Sequence, residues 1–364
     1  LGLPPLLGFL AAGFLLSGFG YAQTEFLQKL ADMGITLLLF TVGLKLNLRT
    51  LARPQVWAVS ALHTTVVVGV FGVLVYGLAL AGVAVFADLD VGTAFLVAFA
   101  LSFSSTVFVV KVLEEKGEMT ALHGRIAVGI LIMQDIAAVV FMAVSSGKVP
   151  SVWAFLLLLL IPLRPLLNHL LDRVGHGELQ VLYGFLLALG GAEIFELVEI
   201  KGDLGALVLG VLIASHPKAE EMAKDMMGFK DLFLLGFFLS VGAAGQLNAA
   251  NVLAGVLLVP LVLLKSLAFL ALFNAFKLRA RTSLLATLSL SNYSEFGLIV
   301  AAVGVSTGWL SGQWLIVLSI ALALSFVAAA AFTRLEHEIL SRYHGQLERW
   351  QRAERLPDDR ILDI

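Results

Sequence analysis

Apolar residues run almost unbroken through twelve segments of the chain, at about 3–19, 27–46, 55–85, 91–112, 126–145, 151–171, 179–199, 203–215, 230–245, 250–276, 283–305 and 313–333, with short polar turns between them. A helix needs about 20 apolar residues to cross the hydrocarbon core of a bilayer, and it satisfies its own backbone hydrogen bonds while doing so. These runs are too long and too continuously apolar for barrel strands, whose side chains alternate between lipid and lumen. The pattern therefore predicts an all-α polytopic membrane protein with about 12 transmembrane helices. Beyond residue 333 it changes to a charged helical stretch, RLEHEILSRYHGQLERWQRAER, and then to LPDDRILDI.

Composition narrows the reading. Of 364 residues, 59% are hydrophobic and 14% charged, against roughly 45–50% and 25% in a soluble domain. Little chain remains for a soluble domain, and a cytoplasmic enzyme is excluded. The formal net charge of -2 offers no basic footprint for nucleic acid. With no cysteine there is no disulfide, thiolate nucleophile or thiolate metal site. Assigning alternate loops to alternate sides gathers Lys45, Arg49, Arg53, Lys111, Lys116, Arg125, Arg173, Lys218, Lys224, Lys230, Lys277, Arg279 and Arg281 on one face, and leaves Lys29, Lys148 and Lys201 on the other. The positive-inside rule makes the richer face cytoplasmic, so the start of the first segment and the charged tail both lie inside. The opening at Leu1, within an apolar run and with neither Met nor a basic leader, reads as a fragment.

An ionisable side chain near the centre of a span costs at least a few kcal/mol, which makes each one a functional candidate. Asp135 lies in GILIMQDIAAVVFM, equidistant from Arg125 and Ser145, and Lys265 in VLLVPLVLLKSLAFLALF, almost equidistant from Asn251 and Lys277, so both fall near the bilayer midplane. A lysine stem is too short to carry that charge to water. Two unlike charges at one depth lower each other's burial cost, so a Lys265–Asp135 salt bridge is expected in the cation-free state. Polar sequence also interrupts two spans, at LSFSSTVFVV (Ser102, Ser104, Ser105, Thr106) and at LSLSNYSEFGLIV (Ser289, Ser291, Asn292, Ser294, Glu295, Gly297). Such hydroxyls compete with the helix for its own carbonyls, and broken helices inside a membrane line ion sites. The breaks fall in the fourth and eleventh segments, each the middle member of a trio (55–145 and 250–333), as two inverted repeats with crossed broken helices would place them.

In chain order, LGLPPLLGFLAAGFLLSG, LADMGITLLLFTVGLKLNL, LSFSSTVFVVKVLEEKGE, GILIMQDIAAV, GDLGALVLGVLIA, FKDLFLLGFFLSVGAAGQLN and LSNYSEFGLIV resemble the successive signatures of monovalent cation:proton antiporters of the Kef type, the bacterial potassium-efflux branch. The likeness runs from Leu1 to about Arg334 and is most specific at Gln134-Asp135. It departs at Gly43-Leu44-Lys45, where the family commonly has Gly-Leu-Glu, and at Ser291-Asn292-Tyr293, where the family is Gly-rich. The resemblance implies thirteen spans with the first absent here, a transmembrane exchanger domain over 1–333, and a tail over 334–364 leading to a nucleotide-binding regulatory domain that the sequence does not contain. It implies a core (about 55–145 and 250–333) and a panel (about 1–50 and 179–245) that makes a homodimer in the bacterial inner membrane.

For the site, the resemblance implies that Asp135 carries a proton or K+ in turn, with Gln134 supplying an amide oxygen beside it. Ser104, Ser105 and Thr106 would lend oxygens to the dehydrated cation, and Lys265 would be the counter-charge. Asn292 and Glu295 are further candidates, with a structural role for Glu295 at a helix end equally open. The substrates would be K+ and H+. Na+/H+ exchange and a gated cation channel are the alternatives, although a charged Asp–Lys pair would obstruct a continuous pore. An intramembrane aspartyl protease needs two facing Asp residues, and only Asp135 is central. His63 reads as a packed, hydrogen-bonded histidine, Glu193, Glu196 and Glu199 as reaching water, and the aromatic run LFLLGFFLS as lipid-facing or interfacial. The charged loop from Ser215 to Lys230 is expected to dock the regulatory domain. His337-Glu338 lacks a second His at 341, so no zinc-protease helix follows.

Overall fold

The computed structural model describes residues 5–20, 24–45, 53–145, 151–243, 247–335 and 338, and among these all regular structure is helical. Eight helices in this set are long and apolar enough to cross a membrane: Glu25–Leu44, Pro54–Leu80, Val91–Glu115, Leu122–Ser145, Trp153–Val174, Glu178–Glu196, Ala249–Ala275 and Gln313–Thr333. Two further pairs, Ala219–Asp225 with Met227–Ala243 and Ala280–Leu290 with Glu295–Ser306, are bent by 48° and 44°, and two apolar helices, Leu7–Gly18 and Gly202–Ile213, are shorter. The tail expected over 334–355 lies almost wholly outside the described residues.

The chain forms two compact units. The first joins Arg49–Ala138 to Leu247–Ile364, with Leu1–Leu7; the second holds Gly8–Leu48 and Val139–Gln246, so the boundary falls within the helix Leu122–Ser145. Large apolar side chains stay exposed on the helix Pro54–Leu80 (Leu62, Val66, Val70, Val73), as expected where the surrounding medium is hydrocarbon and not water.

In the second unit, close helix contacts rest on small residues, which let backbones approach where lipid supplies no hydrophobic drive. A Cβ added at Gly43 would stand 2.4 Å from the Leu207 carbonyl oxygen and 3.0 Å from the Gly210 Cα. One at Gly242 would stand 2.6 Å from the Leu10 oxygen and 2.9 Å from the Gly13 Cα. Phe237 and Phe238 are buried where their helix packs along Glu25–Leu44, with Gly34 and Gly236 at the contact, while Leu232 stays 60% exposed, so the lipid-facing reading of LFLLGFFLS fails for its two aromatics at 237 and 238 and not for the whole run. Glu193, Glu196 and Glu199 are exposed. Ser215–Lys230 is no extended loop, because Ala219–Asp225 is helical and buries Ala219, Met222 and Ala223. Gly43→Ala should therefore lower the thermal unfolding temperature in detergent, by about 1–3 kcal/mol of overpacking, while Gly8→Ala, with nothing within 4 Å, should not.

In the first unit, Asp90 starts the helix Val91–Ser102 with a capping box, and the Thr93 N–H and hydroxyl on its carboxylate hold it below the ordinary carboxylate range. That helix ends after only 12 residues, and the helix Thr106–Glu115 resumes after Phe103-Ser104-Ser105. Its counterpart Ala280–Leu290 likewise stops before Ser291-Asn292-Tyr293-Ser294, and Glu295–Ser306 follows.

Candidate functional site

The breaks arise from side chains that take over backbone bonding. The hydroxyl of Ser102 donates to the Phe99 carbonyl (2.7 Å), Ser289 to Leu285 (2.9 Å) and Ser291 to Thr287 (2.7 Å), turning each first half-helix toward its own end. Ser105 and Ser294 then cap the second halves, their hydroxyls accepting from the N–H groups of Phe108 (3.2 Å) and Phe296 (3.1 Å). An unpaired backbone group here would face no water, so every freed group needs a protein partner.

Those partners tie the two breaks together. Gln134 accepts from the Ser104 N–H at 2.9 Å and donates to the Ser102 carbonyl at 3.3 Å. Asn292 accepts from the Ser105 N–H at 2.7 Å, and its amide donates to the Ser289 carbonyl at 2.8 Å. Ser104 donates its hydroxyl to the Leu290 carbonyl at 2.9 Å, across the two breaks. Behind them, Gly297 permits close approach, since a Cβ there would lie 2.3 Å from the Ala100 oxygen.

Charge is distributed to match the half-helix ends. Lys265 is wholly buried, and its ammonium donates to the carbonyls of Leu101 (3.5 Å), Phe103 and Asn292 (2.8 Å). These carbonyls lie where the two first half-helices finish, the negative ends of their dipoles. The three donors of Lys265 meet main-chain oxygens, which the breaks expose and which the sequence does not display. Asp135, 2% exposed, receives the Thr106 hydroxyl on Oδ2 at 3.2 Å. Thr106 is the first residue of a second half-helix, whose positive end favours a carboxylate. Glu295, 1% exposed, opens the other second half-helix in the same way.

The breaks thus bring Gln134, Ser104, Ser105 and Asn292 into one bonded group, with Lys265 against the half-helix carboxyl ends and Asp135 against Thr106. Ser104 and Ser105 each keep an acceptor lone pair beyond the bonds described. Sequence reasoning missed Tyr293 and Ser325: the Tyr293 N–H donates to the Ser325 hydroxyl at 3.0 Å, and its OH donates to the Leu258 carbonyl at 2.7 Å. A bulky aromatic inside a polar break was the available signal. His63 is packed as read, stacked on Phe269 at 3.4 Å with Nε2 3.3 Å from the Lys265 carbonyl oxygen. Since that carbonyl only accepts, Nε2 carries the proton.

Residues 1–334 match the family model for sodium/hydrogen exchangers, transmembrane. Among curated relatives, the chain is 29% identical over 367 residues to the glutathione-regulated potassium-efflux system protein KefC of Cronobacter sakazakii, covering 92% of this chain and 58% of that protein. It is 28% identical over 367 residues to the protein of the same name from Salmonella heidelberg, covering 92% and 57%. The chain therefore spans under two thirds of the length of these relatives. Among solved structures, it resembles the sodium proton antiporter MjNhaP1 from Methanocaldococcus jannaschii at pH 8, with a TM-score of 0.59 at 12% identity over 93% of this chain and 92% of that one. At that identity the likeness speaks for the fold.

Proposed function

The chain belongs to the sodium/hydrogen exchanger family, is a multi-pass membrane transporter of its Kef-type branch, and from that premise we propose that it exchanges K+ for H+ by alternating access through Asp135. The observation that carries this reading is a buried carboxylate at the positive end of a broken helix, beside an amide and hydroxyls bound into the same breaks. A carboxylate in that setting takes a proton or a monovalent cation, but not both together. Oxygens of Thr106, Ser104 and Ser105 would replace part of the cation's hydration shell, and Lys265 would act as counter-charge through its field at the crossing of the breaks.

K+ is favoured over Na+ by the name of the KefC relatives, proteins of potassium efflux. The bacterial inner membrane, a cytoplasmic 334–364, a homodimer through the panel and control by a nucleotide-binding domain of the same protein complete the proposal. The two breaks, each at the middle of a three-segment trio, favour an inverted repeat.

Exchange should be electroneutral, one cation for one proton. A carrier holding either species moves the same charge in both half-cycles, and a membrane potential does about 2.3 kcal/mol of work per elementary charge per 100 mV. In proteoliposomes with K+, Na+ and Rb+ compared, K+ should drive the fastest proton movement, at a rate unchanged by an imposed potential. Preference for Na+ would replace the substrate assignment. A rate that changes severalfold with potential would reveal a second proton carrier, with Glu295 the first residue to test.

A further inference from the structure

Tyr293 sits between the two half-helices of the second break, 2% exposed, and three of its parts are engaged in different directions. Its N–H is held by Ser325 of the helix Gln313–Arg334 (3.0 Å), its OH by the Leu258 carbonyl (2.7 Å), and its ring lies with the Lys265 ammonium 5.5 Å from the centroid. The Leu258 carbonyl is available for a reason. Around Pro260 the ladder tightens, Val259 donating to Val256 and Val262 to Val259, and this leaves the Leu258 carbonyl for the Tyr293 hydroxyl. The span Ala249–Ala275 is therefore interrupted at Val259-Pro260, between Ala249–Leu258 and Leu261–Ala275, and the Tyr293 hydroxyl bonds the carbonyl at that interruption. The carbonyl immediately before Tyr293, that of Asn292, is in turn one of the acceptors of the Lys265 ammonium.

We propose that Tyr293 is a positioning residue for Lys265, holding its ammonium on the carbonyls that the two breaks expose. It acts at both ends of the lysine. The hydroxyl ties down the interruption from which the Lys265 helix departs, and the ring offers a π face to the ammonium while the backbone beside it presents the Asn292 oxygen. Without Tyr293 the ammonium is less firmly kept on its carbonyls and competes more with the incoming cation for the Asp135 carboxylate. His63, bonded to the Lys265 carbonyl, restrains the same lysine from the other side, and Asp135 and Glu295 are the buried carboxylates of the breaks among the described residues.

The inference rests on the exchange reading, and the test separates the two. Tyr293→Phe keeps the ring and loses the hydroxyl; Tyr293→Leu loses both. Each is reconstituted beside the parent, and half-saturating K+ and maximal exchange rate are measured per unit of folded protein. Half-saturating K+ should rise by about threefold to tenfold in Tyr293→Leu and by a smaller factor in Tyr293→Phe, with maximal rates within about twofold of the parent. Unchanged half-saturation with only a lower unfolding temperature or a lower maximal rate would make Tyr293 mere packing and overturn the inference. Should Tyr293→Leu fail to fold, Tyr293→Phe decides alone by the same criterion. A parent that moves no protons in response to any cation would instead defeat the exchange reading itself.

Discussion

Asp135→Asn is expected to abolish cation-coupled proton movement, by roughly a hundredfold or more, in a protein that still folds. The amide is the same size and keeps an oxygen to accept the Thr106 hydroxyl now on Oδ2 at 3.2 Å. It removes a carboxylate only 2% exposed, so no buried charge needs desolvation and stability should hold or rise. It cannot bind and release a proton in the accessible range, nor neutralise a dehydrated cation. Flux and thermal unfolding measured on one preparation separate these effects. Retained exchange would take Asp135 out of the mechanism, and loss of folding would make the result uninformative about transport, in which case Asp135→Ser would be read instead.

Lys265→Met carries the second large effect, and here both stability and transport should fall. The substitution preserves the apolar stem but leaves the carbonyls of Leu101, Phe103 and Asn292 without their shared donor. An orphaned buried carbonyl costs about 1–3 kcal/mol. Relief from burying an ammonium opposes this, because such a charge pays heavily for desolvation. With at least two carbonyls left facing each other at the ends of two half-helices, repulsion between like dipole ends adds to the first term. A net loss of about 3 kcal/mol is expected, read as a lower unfolding temperature in detergent. Exchange should fall with it, because the positive charge bound to the carbonyls of both breaks disappears. An unfolding temperature equal to the parent's would show that the carbonyls find other partners.

How much of this could be read from the chain differs by feature. The apolar runs gave the helices because, in hydrocarbon, length and hydropathy leave few alternatives. The breaks were legible for the same kind of reason: serines clustered at 102–106 and 289–294 are a poor choice for an uninterrupted apolar helix, and their hydroxyls do take the backbone carbonyls. Depth is legible but azimuth is not. Lys265 and Asp135 sit at matching positions along their spans, yet which way each points depends on helix rotation, and Lys265 found a set of carbonyls created only by the breaks. Gln134 was read as a neighbour of Asp135; its amide also satisfies both a freed N–H and a freed carbonyl of the first break. Tyr293 stayed hidden because its partners, Leu258 and Ser325, lie 35 and 32 residues away. Which aromatics of LFLLGFFLS are buried is not legible, since such a run looks the same whether it meets lipid or a helix brought close by Gly34 and Gly236.

The most direct test of the central claim is proton movement in proteoliposomes loaded with K+ and diluted into K+-free buffer, with the membrane potential held near zero and lumenal pH followed. Coupled exchange through Asp135 predicts that the lumen acidifies with the parent protein and does not with Asp135→Asn. Loss of K+ with no change in lumenal pH, at the same rate in both proteins, would identify a conducting pore and contradict the account.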